Sequence, residues 1–367
     1  MSRGKRVDKK FIRRRWRSLS CSEKLKSSFN SGEGVTEEVV LNHRQMTCLK
    51  DSYKSSVWKL EIIVNGKKQP IILKIFKHTR KPRLESTVEK NMYRKGKRVL
   101  QPFMPDIYAT KRNVNGHDLW VFMEHIPKIQ GQLQFHPRYF ERIIPTLAKL
   151  HATTMSKSFD QRGSLFASWL PRYDSKEMVK ERMEWREKTL FYLDQALKLP
   201  KYRVVVEPYS LLLRRLLQKG PEYFPEVLQA GCSIVHSDLQ LSNMACHNVN
   251  RKHWDIKFID WEGGKFAPCW YDMVNMIGVF MAYRREWRNV EDVITERCVK
   301  LYAREMEKNG VTFQLDPVKL YQMTYLQRML QRGLYLQLSW AVTGRKEAKL
   351  LKVYLEKTKI LSRSLGL

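Results

Sequence analysis

The most regular part of the chain is a pair of short runs in which apolar and polar side chains alternate, VWKLEIIV (Val57 to Val64) and PIILKIF (Pro70 to Phe76). Alternation with period two predicts strands with one face buried. The Asn65-Gly66 pair between them predicts a tight hairpin, because both central residues of such a turn take positive φ. A helical stretch from Arg83 to Lys97 follows, then MPDIYAT, a second Asn-Gly turn at Asn115-Gly116, and LWVFMEHI (Leu119 to Ile126). The order strand, strand, helix, strand, strand over residues 36–125 predicts a small twisted sheet with one helix. Beyond Pro127 the apolar spacing shifts to near 3.6, over Tyr139 to Thr153, Ser175 to Leu197 and Val290 to Ser364, which predicts helices almost to the end. One interruption stands out. From Cys232 to Tyr271, short apolar runs (CSIVH, KFIDW) flank polar stretches dense in Asp, Asn and Glu, and loops on a rigid scaffold are where chemistry usually sits.

Charge changes this picture at the N-terminus. Of 367 residues, 68 are Lys or Arg and 37 Asp or Glu, a net +31. The first 30 residues hold eleven of the cations and two acids, so +22 remains in the rest. Residues 1–35 are therefore expected to be a basic, mobile N-terminal arm ending in the Ser/Gly-rich NSGEG; a helix over Phe11 to Leu19 is expected only on contact with a polyanion. The excess in the body favours a polyanion or anionic surface as a partner and disfavours cationic small molecules. No apolar core follows the basic start, as a secretory signal would require, and the longest apolar run, Met273 to Tyr283, is short of the roughly 20 residues that span a bilayer. The six cysteines contain no CxxC pair and read as free thiols in a cytoplasmic protein.

Candidate chemistry concentrates in IVHSDLQLSN, which sets His236, Asp238 and Asn243 in an H-x-D-x-x-x-x-N pattern after a short apolar run. Seventeen residues beyond Asn243, KFIDWE brings Asp260 and Glu262 after a second one. Phosphoryl transfer needs these groups: one carboxylate to orient the attacking hydroxyl, and a second carboxylate with an amide oxygen to hold Mg²⁺ against nucleotide phosphates. Asp238 suits the first role; Asn243 and Asp260, with Glu262 as a further ligand, suit the second. Neither a G-x-x-x-x-G-K-[ST] loop nor a G-x-G-x-x-G motif is present, which argues against a Walker-type NTPase and a dinucleotide-binding dehydrogenase.

In this order of features the chain resembles the aminoglycoside phosphotransferase and choline kinase-like superfamily, over about residues 36–300. The resemblance implies an α+β, protein kinase-like bilobal fold: a small antiparallel N-lobe with one helix over 36–125, and a large helical C-lobe over 126–367. It implies ATP and Mg²⁺ as cofactors and a hydroxyl as phosphoryl acceptor, neutral or anionic rather than cationic given the basic body. Residue by residue, Lys74 in LKIF is similar to the strand lysine that grips the phosphates, and Glu89 to its helix partner, with Glu85 the second candidate. FMEHI resembles the hinge, where the backbone of Glu124 to Ile126 binds adenine. LAKLHA (Leu147 to Ala152) is similar to the helix beneath the catalytic loop. IDWEGGKFAPCWYDM resembles the metal loop followed by a steadying aspartate, Asp272. Two departures show: Ser237 stands where the family has Gly, and the first turn, KDSYKSSVWK, has no glycine, which leaves Ser55 and Ser56 as the phosphate-loop donors. Trp261, Trp270, Trp287 and Trp340 are candidates for an acceptor pocket, or for core. The overall look is similar to spore-coat-associated bacterial members, and a catalytically silent kinase-fold protein that binds a polyanion is the alternative reading.

Overall fold

The computed structural model describes residues 7–29, 38–77, 84–112, 118–155 and 163–367. These fall into two compact units, one of residues up to Gln132 together with Met244–Gly263, the other of Leu133–Asn243 with Gly264–Leu367.

The first unit is built on a five-stranded antiparallel sheet, in the order β1-β2-β3-β5-β4. Its strands are β1 (Val39–Asp51), β2 (Ser55–Val64), β3 (Lys67–Phe76), β4 (Ile107–Arg112) and β5 (Leu119–Glu124). The predicted hairpin forms: Val64 pairs with Lys67, and Asn65 and Gly66 take φ of 46° and 78°. β1 is an additional edge strand with irregular register between Leu41 and Met46. The Asn115-Gly116 turn lies outside the described residues. Alternation along β3 divides its side chains into two sets. Ile71, Leu73 and Ile75 join the apolar core, whereas Lys74, paired with Val121 of β5, belongs to the opposite face.

The N-terminal segment corrects an expectation. Residues 9–29 are not an arm but two helices, α1 (Lys9–Ser18) and α2 (Cys21–Phe29). Asp8 caps α1 by accepting the Phe11 N–H at 2.6 Å. The apolar positions Phe11, Ile12, Trp16, Leu19, Cys21 and Leu25 are buried in one cluster with Trp58, Trp120 and Phe122 of the sheet. Trp16 meets Phe122 edge-on with ring centroids 5.6 Å apart. The physical reason is composition: the cations occupy one side of α1 and the aromatics the other, and each fully buried large apolar side chain contributes about 1.5–3 kcal/mol, enough to order the segment. The NSGEG stretch lies outside the described residues.

The domain division needs a second correction. The β7 (Met244–Cys246) and β8 (Ile256–Phe258) hairpin, expected with the helical part, belongs to the first unit. Its backbone is tied to the segment after β5 by Ile129 N–H donating to the Met244 carbonyl (3.0 Å) and Cys246 N–H to that of Pro127 (3.0 Å).

The second unit is helical, as the 3.6 spacing predicts. Helices run over Phe140–Met155, Lys176–Lys198, Glu291–Lys308, Pro317–Arg328, Leu334–Thr343 and Leu351–Ser364. Ser175 caps the second of these by accepting the Met178 N–H. Set among the helices is a two-stranded ladder of β6 (Cys232–Val235) and β9 (Lys265–Pro268), with Val235 paired to Lys265. All six cysteines are free thiols. Among the described residues no helix is long and apolar enough to cross a membrane.

Candidate active site

In the first unit the structure brings Lys74, Glu89 and Asp260 together. Lys74 comes from β3, Glu89 from α3 (Leu84–Asn91), and Asp260 from the segment after β8. The Lys74 ammonium donates to Glu89 and, at 3.0 Å, to Asp260 Oδ1. Tyr93 donates to the same Glu89 oxygen at 3.0 Å. Lys74 and Glu89 are buried, so each charge depends on its partners. On Lys74 burial works against the charge, but the two carboxylates outweigh it and raise its pKa. On Glu89 burial wins over Lys74 and pushes the carboxyl up to about 7. Asp260 is more open; burial would raise it too, but the Lys74 ammonium and then Lys50 hold it well below the usual carboxylate range. The triad thus leaves Asp260 as its firmly ionised member. The Glu85 side chain lies outside the described residues.

Two further cations, absent from the sequence reading, approach Asp260 and Glu262, one from the end of β1 and one from the β1–β2 turn. Lys50 lies 3.7 Å from Asp260 and Lys54 3.7 Å from Glu262. The signal available was their position, flanking the glycine-free turn. In that turn the Ser52 hydroxyl accepts the N–H groups of Lys54 (3.3 Å) and Ser55 (3.1 Å). Ser56 is buried, its hydroxyl accepting the Trp58 indole N–H at 2.7 Å. The serines thus tie the turn together, and lysines stand where a glycine-rich loop would offer backbone. At the expected hinge, Glu124 N–H is spent on the Asp106 carbonyl (2.9 Å), and Glu124 Oε1 lies 2.7 Å from His247 Nε2. The Ile126 N–H has no hydrogen-bond partner among the described residues.

In the second unit Asp238 and Asn243 are neighbours. The Asn243 amide donates to the Asp238 carbonyl (2.8 Å) and to its carboxylate Oδ2 (3.1 Å). That orientation spends the NH₂ group and leaves the amide oxygen for another partner. The turn carrying Asp238 is held by Asp272, which accepts the N–H of His236 at 2.6 Å on one oxygen and that of Ser237 at 2.7 Å on the other. His151, from LAKLHA, completes the support: its Nε2 is 3.3 Å from Asp272 and its Nδ1 2.7 Å from the Tyr302 hydroxyl. Burial works against the Asp272 charge, yet the contacts with His151 and His236 more than offset it and keep its pKa low. Ser237 takes φ of 63° and Asp260 one of 65°, a region that disfavours any residue with a Cβ; both turns are strained where the chemistry is expected.

Two of the four candidate tryptophans are core, and Trp287 and Trp340 are half-buried. Trp261 and Trp270 are fully buried, Trp261 donating to the Phe258 carbonyl at 2.9 Å, while Trp270 packs on Tyr302 and Phe313. Trp287 stacks edge-on with His136, and Trp340 lies beneath Lys346.

As metal ligands, the first unit offers the hard oxygens of the ionised Asp260 and of Glu262, and the second unit, taken by itself, the amide oxygen of Asn243. Among the described residues no three His, Cys, Asp or Glu side chains gather into a metal cage. A set of few protein oxygens fits Mg²⁺, which takes one or two protein ligands together with substrate phosphates and water.

A β-sheet unit with a buried lysine–glutamate pair, joined in sequence to a helical unit with an H-x-D-x-x-x-x-N turn, defines a protein of the kinase-like class. Residues 60–298 match the profile of the phosphotransferase enzyme family, and the chain belongs to that family. Among solved structures, it resembles a choline kinase from Cryptosporidium parvum Iowa II (14% identity, TM-score 0.54, covering 88% of this chain and 90% of that one). It also resembles a mutant aminoglycoside 2'-phosphotransferase-IIIa in its GDP complex (11% identity, TM-score 0.50, covering 94% and 98%). At these identities the likeness is one of fold. No curated protein matches.

Proposed function

We propose that the protein is an ATP- and Mg²⁺-dependent phosphotransferase that moves the γ-phosphoryl group to a hydroxyl. The observation that carries this reading is the buried Lys74, held between Glu89 and Asp260. A lysine fixed by one buried carboxylate, with a second carboxylate ionised beside it, is an arrangement for phosphates and their metal. In the proposed reaction the acceptor oxygen bonds to the γ-phosphorus as the bond to the β–γ bridging oxygen breaks, and ADP leaves. Asp238 orients the acceptor and takes its proton; Lys74 aligns the phosphates; the Ile126 N–H meets the base; Lys50 and Lys54 are further candidates for phosphate contact. Asn243, Asp260 and Glu262 would hold Mg²⁺, which when bound neutralises charge on the phosphates.

The test is ATP consumption over a panel of hydroxyl compounds, with nucleotide affinity measured by calorimetry with and without EDTA. Asp238→Ala is expected to lower turnover by about 10²–10⁴-fold while ATP affinity stays near wild type. ATP binding that ignores EDTA would instead favour the silent scaffold.

A second reading concerns the surface. The exposed side of α1 carries Lys9, Lys10, Arg13, Arg14 and Arg17, and Arg13 reaches the His43 carbonyl. We propose that this face binds a polyanion, with retention on heparin falling steeply with salt; retention unchanged between low and high salt argues against it.

A further inference from the structure

The second unit contains a group of cations that the reaction described above does not use. Lys265 opens β9 and is the cross-strand partner of Val235, the residue that leads into the turn carrying Asp238. Arg328 ends the helix Pro317–Arg328, and Arg332 lies in the turn of π-helix that continues it. Among the described residues, none of the three has a carboxylate within 4 Å. Lys265 and Arg328 are half-buried and Arg332 is exposed, so the group is open to solvent at one edge.

These positions are held firmly. The Arg328 guanidinium lies over the Tyr271 ring, 4.7 Å from its centroid, and Arg332 over that of Trp185 at 5.3 Å. Tyr271 is tied by hydrogen bonds to Gln327 (3.1 Å) and Gln331 (3.0 Å), the residues just before each arginine. Of the other charges facing Lys265, Arg182 has its own partner in Glu222 at 3.6 Å, and Glu181 is the acid in range. Asp272 also faces Arg328, so two acids stand against three cations that make no ion pair, and positive charge is left in excess. Burial, then Arg328 and Arg332, push the Lys265 ammonium down to about 7.

A second, independent sign is an orphaned donor. Arg328 Nη2 donates to Asn275 Oδ1 at 3.4 Å, and the amide nitrogen of that same Asn275 is buried with no hydrogen-bond partner among the described residues. A buried donor left unmet is unfavourable, as is crowding like charges, and a bound oxyanion would relieve both. Two guanidiniums and an ammonium suit a phosphate monoester, whose oxygens accept paired N–H donors.

We propose that Lys265, Arg328 and Arg332 form an anion subsite for the acceptor, so that the hydroxyl compound phosphorylated here already carries a phosphate group. This rests on the phosphotransferase reading. The chemistry of the transfer is unchanged by it; what it adds is the substrate class.

The experiment titrates sulfate, whose charge is constant between pH 6 and 8, into the full chain with AMP-PNP and Mg²⁺ saturating the nucleotide site. Inorganic phosphate and acetate serve as parallel probes. Sulfate and phosphate should bind and acetate should bind at least about tenfold more weakly, having fewer oxygens for the paired donors. Sulfate binding should tighten as pH falls through about 7, where Lys265 gains its proton. Arg332→Ala should weaken it about tenfold or more, as loss of a charged partner does. Lys265→Met should weaken it likewise and abolish the pH dependence. Circular dichroism checks that each variant folds, and exposed Arg332 supplies the variant least able to disturb the core. Sulfate binding that is absent, or equal in wild type and both variants, overturns the inference; acetate binding as tightly as sulfate overturns the phosphate assignment. AMP-PNP binding is read separately. Its failure removes the phosphotransferase reading, while sulfate titration of the chain without nucleotide, compared across the same variants, still decides whether the subsite exists.

Discussion

Lys74 and Lys265 are both lysines on short strands, drawn out of bulk water among other charges, and the two units treat them in opposite ways. Lys74 is met by Glu89 and Asp260, and its charge is reinforced. Lys265 is met by Arg328 and Arg332, and its charge is suppressed. The first cluster is complete in itself: the chain supplies both signs, and its members position one another. The second is complete only with an anion from outside. The contrast teaches that a buried cation next to carboxylates is positioned by the fold before any ligand arrives, whereas one next to cations reads as a request for a ligand.

The sharpest way to break this contrast is to remove each lysine. Lys74→Met strands Glu89 in the core, with only the Tyr93 hydroxyl left to satisfy it. Breaking a buried pair by deleting one partner costs about 3–5 kcal/mol. Glu89 can escape part of that cost by taking a proton, since its pKa already stands at about 7. The loss should therefore be larger at pH 8 than at pH 6, measured by denaturant unfolding at both. A loss independent of pH would show that Glu89 is not the stranded group.

Glu89 also gives the wild type a signed pH dependence. Its folded pKa of about 7 is above the ordinary 4.5, so between those values the folded state holds a proton that the unfolded chain has released. Stability from this group should fall as pH rises from about 4.5 to 7. Asp260 acts in the opposite sense and lower down: its depressed pKa gives stability that is present above the usual Asp range and lost on acidification. Glu89→Gln should flatten the slope between pH 5 and 7 without touching the acid limb. An unchanged slope in that variant would refute the assignment.

Lys265→Met should do the reverse of Lys74→Met. Below pH 7 Lys265 is charged in both states and burdens the folded one; above its folded pKa of about 7 the folded state gives the proton up while the unfolded chain, at 10.5, keeps it. From about 7 up to 10.5 the unfolded chain holds the extra proton, so stability from this group rises with pH across that window, and below it the full burden is constant. The variant removes the burden, so a gain of about 1 kcal/mol is expected, largest at pH 6 to 7, in the range seen when function-linked strain is relieved. Loss of anion binding together with a gain in stability is the combination that marks a ligand subsite. A destabilised variant would place Lys265 among the structural groups instead.

Much of this was legible in the sequence, unevenly. The β2–β3 hairpin and the long helices were visible because alternation and 3.6 spacing are local properties. β1 was not, because an edge strand such as NHRQMTCLK exposes most of its side chains and has little need to alternate. α1 was misjudged for a related reason: its charges dominate any average over the segment, although Phe11, Ile12 and Trp16 already shared a helix face. Lys74, Glu89 and Asp260 are brought together as their motif order suggests, as are Asp238 and Asn243. Lys50, Lys54 and Lys265 were passed over because a lysine carries no sign of its partners. What distinguishes Lys265 from a solvated lysine is Arg328 and Arg332, more than sixty residues away in sequence.

The smallest expected effect tests the strain at the catalytic turn. Ser237 takes φ of 63°, which costs a residue with a Cβ about 1–2 kcal/mol, and its hydroxyl is buried with no hydrogen-bond partner among the described residues. Ser237→Gly removes both burdens, but glycine gives back about 0.5–1 kcal/mol through the greater freedom of the unfolded chain. A net gain of about 0.5–1 kcal/mol is expected, or roughly 1–4 °C in Tm. Ser237→Ala separates the two contributions, since it removes the orphaned hydroxyl and keeps the strained backbone; it should give the smaller gain. The backbone N–H that donates to Asp272 at 2.7 Å is present in both variants, so the support of the turn is not what changes. If glycine lowers Tm, the positive φ is carried without strain at this position.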